Sequence, residues 1–313
     1  MMQPQPHPLD SARLKLTRAG LHLETLKYEV LRFRQSNPYH IVKDIDPETG
    51  EQRTYCVIDR QPDHGMALVL GDLVNALHSA LDHAVFNLSA HFAVETRTVL
   101  SERDRASISF PVACEESQWT GGGEGRVRFL PKPYVDAIHD EQPYITGKGV
   151  ARPDNPLAVL HAIWNADKHR NIILQSAWAD LMAFEVTYDN IRVNHEWRGP
   201  IVAYGSDVLY SDRPDDSEEH LDVFGNIEVT LEKSGVASGE ISPGRPIVEV
   251  ATSMYEVVFS IVRKLDEGAL RIYPWEAGEK EAPHANMVWG RHERYIPKPG
   301  EPPPTITGSL VQA

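Results

Sequence analysis

Apolar residues near the start of the chain recur at three- and four-residue intervals. Leu9, Ala12, Leu16, Ala19, Leu23, Leu26, Val30 and Phe33 form one stripe, which predicts an amphipathic helix over 11–34. Asp10 or Ser11 is expected to cap it by accepting a backbone N–H bond. The "SNP" at 36–38 should stop it, because the residue before a proline avoids helical backbone. A second stripe, Leu70, Leu73, Leu77, Leu81, Val85 and Leu88, predicts a helix over 66–92, capped near Asp63. A third helix opens at "DNPLAVLHAIW". There Asp154 or Asn155 caps, Pro156 sits harmlessly in the first turn, and the helix runs to about "NADKHRN". The fourth covers 246–267 on Val250, Met254, Val257, Ile261 and Leu265, with Gly268 as its stop.

Other patterns fill the gaps. "YHIVKDI" and "QRTYCVI" flank the turn "DPETGE" and predict a β-hairpin over 39–60. "SISFPVA" reads as a short strand, "GGGEG" at 121–125 as a flexible loop, and "PKPYVDAIHDEQPY" as a short helix between prolines. The alternation in "AFEVTYD", "IRVNHEW" and "NIEVTLE" marks a β-rich insertion over 171–232, with "DRPDDSEEH" (212–220) as a solvated loop within it. Four one-sided helices bury their stripes best against one another. The expected fold is therefore α+β: an antiparallel bundle of about four helices with an inserted β-hairpin and a small antiparallel sheet. Residues 1–270 form one domain in this reading. Residues 271–313 form a proline-rich C-terminal extension, because the last 45 residues hold seven prolines.

Composition narrows the function. Of 313 residues, 45 are acidic and 31 basic, a net charge of −14. That opposes general affinity for DNA, RNA or anionic membrane. No apolar run reaches the length needed to span a bilayer. Cys56 and Cys114 are the only cysteines and lack motif spacing, so neither a disulfide framework nor a cysteine zinc site is expected. A cytoplasmic location follows from that usage and from an N-terminus without a signal-type apolar segment. "GGGEG" lacks phosphate-loop spacing, and no cofactor is expected. "NLS" at Asn87 matches a glycosylation acceptor by chance.

Two polar clusters interrupt the apolar stripes. The first is His78, Asp82 and His83 in "VNALHSALDHAVFNLS". His78 and Asp82 are four apart and share a helix face, whereas His83 lies about 140° further round than His78. At least one of the three must enter a helix–helix groove. The second cluster is "NADKHR". Lys168, His169 and Arg170 suit a helix C-terminus, where exposed carbonyls carry partial negative charge. Asp167 does not, unless something pairs with it. The expected partners are His78 or His83 for Asp167, and Lys168 or Arg170 for Asp82, so the two clusters should touch.

"LHSALDHAVFNL" and "NPLAVLHAIWNADKHR", with the intervening "SFPV" and "EQPY", resemble a little-characterised bacterial and phage family. Its pattern pairs an "LRSALDH" helix with a later helix ending in "DKHR", and the likeness covers about residues 10–175. "RSALDH" in turn resembles the arginine–four–histidine motif of HEPN domains, helical bundles of which many are dimeric, metal-independent ribonucleases. The resemblance implies a site at His78 and His83, a homodimer, and RNA as the substrate if the nuclease activity carries over. This chain has His78 where that motif has arginine. Arg170 or Lys168 would then have to supply the charge that stabilises a phosphate, with the histidines moving protons.

Three readings follow. His78, Asp82, His83, Asp167, Lys168, His169 and Arg170 form a buried polar network that fixes helix register. Alternatively they form a HEPN-like ribonuclease site, or Asp82, His83, Asp167 and His169 bind a metal inside the bundle. Exposure separates the first from the others, since a sealed cluster offers no route to substrate.

Overall fold

A computed structural model describes residues 7–45, 47–48, 52–147, 154–169, 174–179, 182–188, 191–197, 207–212, 221–224, 227–231 and 245–272. The helices are α1 (Asp10–Gln35), α2 (His64–Glu95), α3 (Glu102–Ser107), α4 (Lys132–Asp140), α5 (Pro143–Thr146), α6 (Pro156–His169) and α7 (Ile247–Ile272). Short helical turns cover 116–126. The strands are β1 (Tyr39–Ile45), β2 (Gln52–Ile58), β3 (Leu174–Ala179), β4 (Met182–Tyr188), β5 (Ile191–Trp197), β6 (Asp207–Asp212), β7 (Leu221–Phe224) and β8 (Ile227–Leu231).

The four long helices α1, α2, α6 and α7 pack as a bundle, as their stripes require. Helix α2 is central. It touches α1, α6 and α7, and Leu70, Leu73, Leu77, Leu81, Val85 and Leu88 are each sealed from solvent. Burying a leucine of this kind stabilises the fold by roughly 1.5–3 kcal/mol. Cross-helix contacts fix directions. Ser11 meets Asn87, so α1 runs antiparallel to α2. Arg13 meets Asp266, and Tyr255 lies over Gly20, so α7 runs antiparallel to α1. Asp167 meets Gly71, and Trp164 meets His78, so α6 is antiparallel to α2.

The strands pair antiparallel in three groups. β1 and β2 form the expected hairpin, Tyr39 opposite Ile58 and Ile45 opposite Gln52, and β6 adds to β2. β3 pairs with β8, and β4 lies between β5 and β7. β8 reaches the bundle: Val229 and Leu231 are buried in the same core as the helices.

Helix ends show where local patterns misled. Asp63 caps α2 as expected, its side chain accepting the Gly65 N–H at 2.7 Å. Neither Asp10 nor Ser11 caps α1. The cap position is Leu9, while Asp10 bonds back to the His7 N–H and holds Arg13. Ser11 is thereby left for a tertiary contact. α1 ends before Asn37, which takes the left-handed conformation (φ 48°) that asparagine tolerates. Asn155 caps α6, its Oδ1 accepting from Leu157 and Ala158 N–H at 3.1 Å each, while its Nδ2 donates to Thr146. Asn155→Ala should cost about 1–2 kcal/mol in urea denaturation. Asn155→Asp keeps the capping oxygen and should recover most of that loss.

Three other expectations fail. Gly268 does not end α7, which continues to Ile272. Its bare backbone instead seats Tyr134, whose ring atoms would lie 3.5 Å from a β-carbon there. "SISFPVA" forms no strand: its Ile108 N–H closes α3 on the Asp104 carbonyl, and its Phe110 and Ala113 N–H groups go to the side chains of Asp82 and Gln142. "GGGEG" lies in helical turns rather than a loop. The extension after 272 and the 213–220 acidic run fall outside the described residues.

Candidate functional site

The 140° between His78 and His83 sends them to opposite flanks of α2. His78 faces α6 and His83 faces α1.

On the α6 flank, Trp164 is the centre. The His78 imidazole lies parallel to its ring, centroids 3.5 Å apart and planes 6° apart. The Lys168 ammonium sits 2.9 Å from the Trp164 ring centroid. Two groups so close to one centroid cannot share a face, so the indole is sandwiched between imidazole and ammonium. This is a cation–π contact on one side and a ring stack on the other. Trp164 and Lys168 are four residues apart, which is why one helix presents both. His78 is 6% exposed. Its Nδ1 bonds Asp82 Oδ2 at 3.2 Å, and Asp82 Oδ1 accepts the Phe110 N–H at 3.0 Å.

His161 completes this side, with ring centroids 6.1 Å from His78 and 6.0 Å from Trp164. Its buried Nδ1 has no hydrogen-bond partner among the described residues. Burial, and then the neighbouring His78, Arg126 and Lys168, push its pKa down to about 4 against a weaker opposing pull from Asp82. His161 is therefore neutral near pH 7.

The two sequence clusters approach each other only by way of Trp164, which belongs to neither and lies between His78 and Lys168; none of the expected pairs forms among the described residues. Asp167 bonds neither His78 nor His83. It rests on α2 at Gly71, where an added β-carbon would come within 2.8 Å of its Oδ1. Gly71 and His83 are twelve positions apart, about 18 Å along the helix. Lost hydration against α2, and then the Asp72 carboxylate, raise the Asp167 pKa above the usual range. Asp82 pairs with His78 rather than Lys168, which the indole holds. His169 belongs to α6 by its backbone, but its side chain lies outside the described residues, as does all of Arg170. Among the described residues, no three His, Cys, Asp or Glu side chains converge as metal ligands.

On the α1 flank lies an open pocket of about 540 Å³. Ser11, Asp82, His83 and Asn87 line it with Phe86, Ile108 and Ser109. Asn87 Nδ2 donates to Ser11 Oγ at 2.7 Å, and Ser11 Oγ lies 3.2 Å from His83 Nδ1. A hydroxyl that accepts from the amide can pass its own proton to Nδ1. With Nδ1 accepting from the hydroxyl, Nε2 is the ring nitrogen that carries the N–H. Asp82 belongs to both flanks. Its side chain is 33% exposed in the pocket while it holds His78, which is nearly sealed.

Ser11, Asn87, His161 and Trp164 belong to the site although neither polar cluster of the sequence marked them as site residues. His161, Trp164 and Lys168, at steps of three and four, did offer a local signal. Ser11 and His83 are 72 positions apart and offered none. No helix among the described residues is long and apolar enough to cross a membrane. No protein-family model, curated protein or solved structure matches this chain.

Proposed function

We propose that the His78–Asp82–Trp164–Lys168 cluster is architectural: it sets the register of α6 on α2. The observation that carries this reading is His78, 6% exposed and stacked on Trp164 at 3.5 Å, with its Nδ1 already engaged. A buried ring with its face covered has little room to exchange protons with a substrate, whereas a satisfied polar contact does specify one packing among several. Shape matters more than acid–base chemistry in such a role. His78→Phe should keep the stack and cost about 1 kcal/mol or less in urea denaturation, because Asp82 is exposed enough to take water in place of Nδ1. A loss beyond about 3 kcal/mol with the fold retained would mean that the imidazole nitrogen, not the ring, is what the site needs.

One observation favours a second reading, a HEPN-like metal-independent ribonuclease. His83 borders an open pocket and its Nε2 is unpaired among the described residues. Against it, none of the residues lining that pocket is Lys or Arg, and the nearby Arg13 is bound by Asp10 and Asp266. A phosphate there would meet the Asp82 carboxylate without a compensating cation. Purified protein incubated with single- and double-stranded RNA in EDTA decides between the two. The architectural reading expects no cleavage; cleavage that vanishes in His83→Ala would replace it with the nuclease.

A further inference from the structure

We propose that the pocket between α1, α2 and the 108–109 segment binds a small organic cation: an amine carried on an aromatic or apolar body. The proposal rests on which hydrogen-bonding groups remain unused. Each Asp82 oxygen accepts one bond inside the protein, from Phe110 N–H or at His78 Nδ1. A carboxylate has about four acceptor sites, so capacity remains on its exposed part. Asn87 spends one of its two amide N–H donors on Ser11, and its Oδ1 has no partner among the described residues. The pocket therefore offers a carboxylate and an amide carbonyl, both acceptors, with no Lys or Arg in its lining. That set suits N⁺–H donors and penalises anions.

The rest of the lining fits the body of such a ligand. Phe86 supplies an aromatic surface and Ile108 an apolar one. The Asn87–Ser11–His83 chain leaves the His83 Nε2–H as a donor, which suits a hydroxyl or carbonyl oxygen elsewhere on the ligand. A volume of about 540 Å³ is in the range of small-molecule sites. The chain's net charge of −14 draws cations toward the protein before any contact forms. A metal ion is a poorer occupant, because no three ligating side chains converge among the described residues.

A matched pair of probes tests this on the full chain. Tyramine and 4-hydroxyphenylacetate share a body and differ in the charged end. Isothermal titration and ligand-observed NMR should show saturable tyramine binding with Kd of about 1 mM or tighter. The carboxylate probe should bind at least about tenfold more weakly, the difference expected for a charge-assisted hydrogen bond gained or lost. Asp82→Asn should weaken tyramine about tenfold. Ser109→Trp fills the pocket from its rim and should abolish binding even if Asp82→Asn proves poorly folded. Equal binding of the two probes would overturn the proposal. So would tyramine binding unchanged in Ser109→Trp, or no saturation by about 10 mM.

Discussion

Trp164→Ala is expected to lower folding stability by about 2–3 kcal/mol, less than truncating a sealed aromatic costs because the indole is only partly buried. The cost has two parts. Removing the partly buried indole opens a gap between α2 and α6, and the atoms that packed on it lose their dispersion contacts. It also strips the stacked face from His78, which is 6% exposed while the indole covers it. Lys168 contributes less, since its ammonium can turn to water once the ring is gone. Trp164→Phe keeps a flat ring for both neighbours and should recover more than half of the loss. Urea denaturation followed by circular dichroism at pH 7 measures both variants. A Trp164→Ala loss below about 1 kcal/mol would show that the sandwich decorates the α2–α6 contact without supporting it.

The second large effect depends on pH and comes from His161. Its pKa lies at about 4 in the folded protein, pushed down chiefly by burial, against an ordinary value of 6.5. Between those values the unfolded chain binds a proton at this position and the folded chain does not. Stability therefore falls as pH drops from 6.5 to about 4, and this residue contributes no further loss below that. The gap corresponds to about 3 kcal/mol. Other groups titrate in the same window, so the informative quantity is the difference between wild type and His161→Leu. At pH 7 the variant should be at least as stable, because it removes a buried Nδ1 that has no partner among the described residues. By pH 4 it should be ahead by about 3 kcal/mol. Parallel stability curves for the two proteins between pH 7 and 4 would show that His161 is not held neutral by the fold.

The helices were legible in the sequence because each has one apolar stripe at helical spacing, and burial of that stripe leaves few alternatives. Leu70 to Leu88 on α2 are examples, as are Val250, Met254, Ile261 and Leu265 on α7, where Val258 rather than the expected Val257 is sealed. Failures came where a local rule met a tertiary partner. Gly268 reads as a helix stop until Tyr134 covers it. Ser11 reads as a cap until Asn87 claims its hydroxyl. "SISFPVA" reads as a strand until Asp82 and Gln142 take its N–H groups. The candidate site divides in the same way. Helical geometry alone separates His78 from His83, and the structure places them against different helices. Which residue each one meets depends on the slide of one helix along another, and periodicity does not encode that. Asp167 shows the limit: its charge sign called for a cationic partner, yet a glycine in α2 gives its carboxylate room against a backbone.

Asp82 braces a loop through Phe110, steadies His78, and forms part of a cavity wall. One carboxylate thus ties the contents of that cavity to the integrity of the whole helical assembly. Any molecule that settles beside it adds its binding free energy to that of folding. The protein's melting temperature then becomes a gauge of occupancy, usable for screening compounds before any activity is known.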